Sequence, residues 1–218
     1  MDIKLIVFDL DGTLTSSHKT IYKSTFYALE KLNIQHNLTE NKFYEMIGMH
    51  FEDIFDQFGF KVNDFNKFIE IYKSAYFTFI DSTFLYEGVR ETLEKLKKNN
   101  FRIALLTTKA QDQAEMNVDY FDLTKFFHYI MGRRKGIEHK PSPEPLLKIC
   151  ADLKININNT IIVGDTEMDI QCGKNSGAYT CGVTYGYRTK HELIKHFPDF
   201  LIDSITELPN IISGNNQL

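Results

Sequence analysis

The chain has 218 residues, with 25 Lys and Arg against 29 Asp and Glu, a formal charge of −4. That length exceeds one ordinary domain of roughly 100–150 residues and falls short of two, so a single domain carrying an insertion is the natural reading. Apolar residues at 43% and charged residues at 25% exclude global disorder, the acidic balance argues against a nucleic-acid binder while leaving room for a local basic patch, and no apolar run approaches the roughly 18 residues of a membrane span.

Residues 3–9 (IKLIVFD) form a short apolar run ending in an acid, the pattern of a buried strand. From about residue 16 to 85 no strand is convincing. Phe51, Ile54, Phe55 and Phe58 make a short helix face. Phe65, Phe68, Ile69, Tyr72, Tyr76, Phe79 and Ile80 make a longer one. Of the 18 phenylalanines, 11 lie in this stretch, which predicts a helical bundle packed by aromatic rings. Strand and helix signals then alternate. A helix is expected over 88–98, strands over 101–107 and 127–131, and a helix over 143–153, where Pro143 suits its start. A strand at 160–164 leads directly into a helix over 166–176, followed by strands at 179–184 and 199–202. Alternation of this kind implies an α/β fold with a parallel sheet and helices on both faces. The closing SGNNQL is polar and is expected to fray.

Four local patterns carry chemistry. Asp9-Leu10-Asp11-Gly12-Thr13-Leu14 follows the first strand, where α/β sheets bind ligands, and its two carboxylates repel unless a cation or proton satisfies them. A helix cap and a β-turn are the plainer alternative. Gly164-Asp165 ends another strand, with Asp169 four residues on, a spacing that puts both acids on one face of the following helix's first turn. Two strand ends with clustered acids suggest one hard-cation site, and oxygen-only ligands favour Mg2+ over Zn2+. Thr107, followed by Thr108 and Lys109, ends a strand with a hydroxyl able to donate to a phosphate oxygen. Lys140 stands before a proline-rich stretch (PSPEP) that stiffens its loop. Cys150, Cys172 and Cys181 are too few and too scattered for a disulfide framework or a zinc site and read as buried small hydrophobes. The start, MDIKLIVFD, lacks the marks of a signal peptide, so the expected location is the cytoplasm.

Taken together, the four patterns resemble the haloacid dehalogenase-like superfamily in its phosphatase branch. Asp9 and Asp11, Thr107, Lys140, and Gly164, Asp165 and Asp169 match its four motifs in order. The resemblance implies a Rossmann-like parallel-sheet core over 1–15 and 86–218, with an inserted α-helical cap domain over 16–85. It further implies that Asp9 attacks phosphorus and that Asp11 serves as general acid and base. Asp9, the Asp11 backbone carbonyl, Asp165 and Asp169 would hold Mg2+, and Thr107, with Thr108, and Lys140 would hold the phosphoryl oxygens. A carboxylate two residues after the nucleophile favours phosphoryl transfer over dehalogenation. The overall pattern, including Tyr86-Glu87-Gly88-Val89 and Gly182-Val183-Thr184-Tyr185-Gly186-Tyr187, looks like the phosphoglycolate phosphatase-like subgroup, although Ser16 and Ser17 stand where that pattern commonly has an Asp. The expected partner is a small-molecule phosphate ester, with no nucleic acid or membrane, and the expected state is a monomer or homodimer. Met49 and His50 beside Gly48 are candidate cap contacts to substrate. Arg133 and Arg134 could meet a distal anionic group or simply face water. A sugar phosphomutase of the same fold, or a non-catalytic protein binding a phosphate ligand, are the alternatives.

Overall fold

The run IKLIVFD forms β1 (Leu5–Phe8), with every residue buried. In the computed structural model, which describes residues 1–213, the chain then leaves through β2 (Thr15–Ser16). It passes through α1 (His18–Lys31), α2 (Glu40–Tyr44), α3 (Phe51–Gln57) and α4 (Phe65–Thr78), and returns through β3 (Phe84–Leu85). β2 and β3 pair with each other. The alternating part follows as α5 (Val89–Lys98), β4 (Arg102–Ala110), α6 (Gln111–Tyr120), β5 (Tyr129–Arg133), α7 (Glu144–Leu153) and β6 (Thr160–Gly164). It closes with α8 (Glu167–Ser176), β7 (Tyr179–Val183), α9 (Lys190–Ile194), β8 (Phe200–Ile202) and α10 (Leu208–Ile212). The chain divides into two units, Met1–Thr15 with Leu85 onward, and Ser16–Phe84. From residue 214 the polar end expected to fray lies outside the described residues.

The first unit is a Rossmann-like α/β layer structure. Its six strands run in the order β5-β4-β1-β6-β7-β8, and every neighbouring pair is parallel. β1 is central, with β4 and β5 on one side and β6, β7 and β8 on the other, so the connections reverse direction at β1. Such a switch point opens a crevice at the carboxyl ends of the strands. The register sets Phe8 level with Leu105 and Val163, so the residue just past β1 is brought beside the end of β6 and the middle of β4.

Both faces of the sheet are covered, as the apolar runs require. Ile6 and Phe8 pack with Leu93 and Leu96 of α5 and with Ile103, Leu105 and Val163. Leu5 and Val7 point the other way, to Leu146, Ile149 and Cys150 of α7 and Cys172 of α8. All three cysteines are buried free thiols. No helix among the described residues is long and apolar enough to cross a membrane.

The second unit is all helical apart from its end strands. In α4 the buried side is Phe68, Tyr72, Ala75 and Tyr76, while Phe65 and Ile69 of the expected face are only half-buried. Phe68 is fully buried. Its ring meets Phe51 and Phe55 edge-on, each at a centroid distance of 5.2 Å. Edge-to-face packing of this kind adds to simple area burial. Phe68→Ala is therefore expected to cost about 3–5 kcal/mol, read as a lower denaturation midpoint in urea.

Candidate active site

Asp9 follows β1 directly, and its amide donates to the Val163 carbonyl at 2.9 Å, extending the β1–β6 ladder by one residue. The chain must then turn at once. Gly12 takes φ +94° there, and a Cβ at that position would lie 2.2 Å from Asp165 Oδ2. Asp165 follows β6, and Asp169 lies in the first turn of α8, where its Oδ2 accepts from the Thr166 amide (3.1 Å) and hydroxyl (2.7 Å). The capping and metal-site readings of Asp169 are thus compatible, because its other oxygen points elsewhere.

That other oxygen, Oδ1, lies 2.5 Å from Lys140 Nζ, and the same ammonium lies 2.6 Å from Asp9 Oδ1. Asp9, Asp165 and Asp169 each offer a carboxylate oxygen within 4.8 Å of the others, and all three residues are buried. Burial, above all, raises the Asp9 carboxyl to about 7; Lys140 opposes the rise and Asp169 adds to it. Burial and the neighbouring charges of Asp9 and Asp169 likewise raise Asp165 well above the usual carboxylate range. For Lys140, burial disfavours the charged form, but the Asp169 and Asp9 carboxylates outweigh it and hold the ammonium charged. One lysine thus faces three converging acids. An all-oxygen donor set with surplus negative charge fits a hard divalent cation.

Asp165 is fixed on both oxygens. Thr13 Oγ1 donates to Oδ1 at 2.9 Å, and the Tyr187 amide donates to Oδ2 at 2.8 Å. The Tyr185 hydroxyl donates to the Thr13 carbonyl at 2.9 Å, tying the segment after β7 to the loop after β1. Gly186 makes this approach possible. A Cβ there would fall 2.2 Å from the Asp165 Cβ and 2.5 Å from the Gly12 carbonyl oxygen.

The Asp11 carboxylate points to a different cation, with Oδ2 3.1 Å from the buried Lys109 Nζ. Lys109 is two residues beyond Thr107 on β4, and its amide donates to Thr107 Oγ1 at 3.2 Å. With that hydroxyl accepting from the backbone, its own proton is directed elsewhere, as a phosphoryl-binding group requires. Thr108 stands between them, half-buried. Arg134 is used by the fold: it donates to Gln111 Oε1 (2.9 Å) and the Ile130 carbonyl (2.8 Å) and lies over the Tyr129 ring. Arg133 is exposed. Met49 and His50 lie in the second unit, just before α3, and both are half-buried.

The structure therefore brings Asp9, Asp165, Asp169 and Lys140 together, and sets Asp11 beside them with Lys109. Lys109, Thr13 and Tyr187 stand inside the sequence patterns, but the sequence gives none of them a role. For Lys109 the available signal was its place two residues after Thr107 in the sequence. A backbone amide such as that of Tyr187 has no signal in residue identity.

Comparison with known proteins agrees with this geometry. Residues 6–183 match the haloacid dehalogenase-like hydrolase family. The chain belongs to that family. It is 31% identical to the pyrophosphatase PpaX of Bacillus mycoides over 218 residues, covering 99% of this chain and 100% of the relative. Among solved structures, a predicted phosphatase from Clostridium acetobutylicum superposes with a TM-score of 0.84 at 26% identity, covering 98% of this chain and 100% of that one. A predicted phosphoglycolate phosphatase from Haemophilus somnus gives 0.83 at 26% identity, covering 97% and 98%. The chain is accordingly a hydrolase of the family's phosphatase branch.

Two predictions follow the geometry. In metal-free protein the native Asp9 carboxyl, titrating at about 7, keeps a proton that an unfolded Asp loses at 3.8. The native state then binds more protons than the unfolded state between those values, so stability falls as pH rises through that window. Metal-free protein should melt about 2–6 °C lower at pH 7.5 than at pH 5, with Mg2+ restoring the loss; Asp165→Asn should remove the Mg2+ response. Gly186→Ala must displace either Asp165 or the Gly12 backbone. It should weaken Mg2+ binding about 10- to 100-fold, measured as the Mg2+ concentration for half of the melting-temperature shift.

Proposed function

We propose that this hydrolase is a Mg2+-dependent phosphatase acting on a small phosphate compound through an aspartyl-phosphate on Asp9. The observation that carries the reading is Lys140, buried and bridging Asp9 and Asp169 while Asp165 closes the acidic cluster. A structural site would gain nothing from three buried carboxylates around one lysine, because an unbalanced buried charge costs several kcal/mol.

In this reading Asp9, Asp165 and Asp169, with the Asp11 backbone carbonyl, would hold a divalent ion, whose charge would offset the repulsion between the Asp9 carboxylate and an incoming phosphate dianion. Asp9 attacks phosphorus in line with the leaving oxygen. Asp11 gives its proton to that oxygen and later takes one from the water that releases phosphate. Thr107, with Thr108 beside it, donates to the phosphoryl oxygens, and Lys140 offsets the charge that develops on them. Residues 16–85 act as a cap that selects the substrate, with Met49 and His50 at the Gly48 turn as its contacts. The names of the relatives support pyrophosphate or phosphoglycolate-like compounds as substrates.

Release of inorganic phosphate from a generic aryl phosphate should require Mg2+ and stop on chelation. Asp9→Asn should lower kcat by on the order of 10^4-fold or more, while the variant keeps its fold by circular dichroism. Full activity in Asp9→Asn would sink the covalent mechanism, and metal-independent turnover would sink the cofactor assignment.

A further inference from the structure

Lys109 is a second buried cation at the head of the sheet, and the mechanism above does not use it. Its side chain is 4% exposed, with Nζ 3.1 Å from Asp11 Oδ2. A buried ammonium is expensive unless paired, and an apolar side chain of similar length would fill the same space without that cost. Its place therefore asks for a reason beyond packing.

The two lysines divide the site between them. Lys140 is held by Asp9 and Asp169, on the side of the nucleophile. Lys109 is held on Asp11, which the proposed mechanism sets at the leaving oxygen. The spacing is rigid, because the Lys109 amide donates to the Thr107 hydroxyl on the same strand. The group proposed to grip the phosphoryl oxygens and the cation beside the leaving oxygen thus share one piece of backbone.

We propose that Lys109 is a specificity-determining residue that offsets negative charge on the leaving group. The site then prefers phosphates whose leaving group is itself an anion next to the scissile bond, over monoesters of neutral alcohols. Inorganic pyrophosphate is the smallest compound of that class. The inference rests on the phosphatase reading above. With pyrophosphate, an Asp9 oxygen forms a bond to one phosphorus and the bond from that phosphorus to the bridging oxygen breaks. The electron pair stays on the bridging oxygen, which takes the Asp11 proton and departs as phosphate. Water then attacks the aspartyl-phosphate, the bond between phosphorus and the Asp9 oxygen breaks, and the water's proton passes to Asp11. In an ester of a neutral alcohol, only the leaving oxygen bears developing charge. In pyrophosphate the departing group carries charge on further oxygens throughout, and the ammonium meets it there.

The test is the ratio of kcat/KM for pyrophosphate to that for phenyl phosphate, each read as phosphate release with Mg2+. Lys109→Met should lower this ratio at least about 10-fold, the worth of one charge-assisted hydrogen bond, and Lys109→Arg should keep it within about 3-fold. An equal fall for both substrates would show that Lys109 acts only by orienting Asp11, and would overturn the proposal. A wild-type enzyme that hydrolyses phenyl phosphate with no preference for pyrophosphate would overturn it while leaving the phosphatase reading intact. Hydrolysis of neither would overturn both. If Lys109→Met does not fold, competitive inhibition of the wild type decides: methylenediphosphonate should bind at least about 10-fold tighter than methylphosphonate, and equal binding would count against the proposal.

Discussion

Four carboxylates and two lysines meet at the carboxyl-end edge of the parallel sheet, and the rest of the structure serves to hold them there. Left to themselves, Asp9, Asp165 and Asp169 would separate or take up protons. The fold prevents the separation. Asp9 continues a buried ladder, Asp165 is gripped by Thr13 and the Tyr187 amide, and Asp169 is locked into the first turn of α8. The raised carboxyls of Asp9 and Asp165 record the tension that results. Stability given up at one point of the sheet is supplied by the two apolar faces beneath it.

The parallel sheet makes this concentration of charge possible. A central strand flanked on both sides brings the ends of β1 and β6 and the later residues of β4 to one crevice. The glycines at 12 and 186 then let two backbones close on Asp165. Neither contact is an attraction in itself. Each is a permission, and it works because the atoms that a side chain would displace include backbone and a fixed carboxylate.

Much of this was legible in the amino-acid order. The buried strands announce themselves as apolar runs, and β6 has the limits that its run TIIVG suggests. The acids at the ends of β1 and β6 were visible because charge after an apolar run has few explanations. Other elements hid for physical reasons. α1 buries Thr20, Ser24 and Thr25 alongside its apolar residues, and the Ser24 and Thr25 hydroxyls bond back to the carbonyls of Thr20 and Ile21. Its inner face therefore reads as polar. α6 buries Gln113 and Asn117 and is masked in the same way. β4 runs on to Ala110 through an irregular register after Leu106, which a pattern of alternation cannot foresee. In the site, residue identity revealed the acids and Lys140. The partners of Asp165 and Asp11 depend on which backbone comes near, and that is settled only when the chain folds.

The pairing of β2 with β3 has a consequence for how such a chain can change over time. The inserted unit departs and returns through two strands that are bonded to each other, so the covalent connection to the core is a closed junction. Beyond that junction, loop-closure entropy grows slowly, by about 0.6 kcal/mol for each doubling of length. The insertion can therefore lengthen, shorten or exchange its helices at small thermodynamic cost to the sheet. The sheet and the inserted helices are thus separately variable stretches of one chain, joined by a pair of two-residue strands.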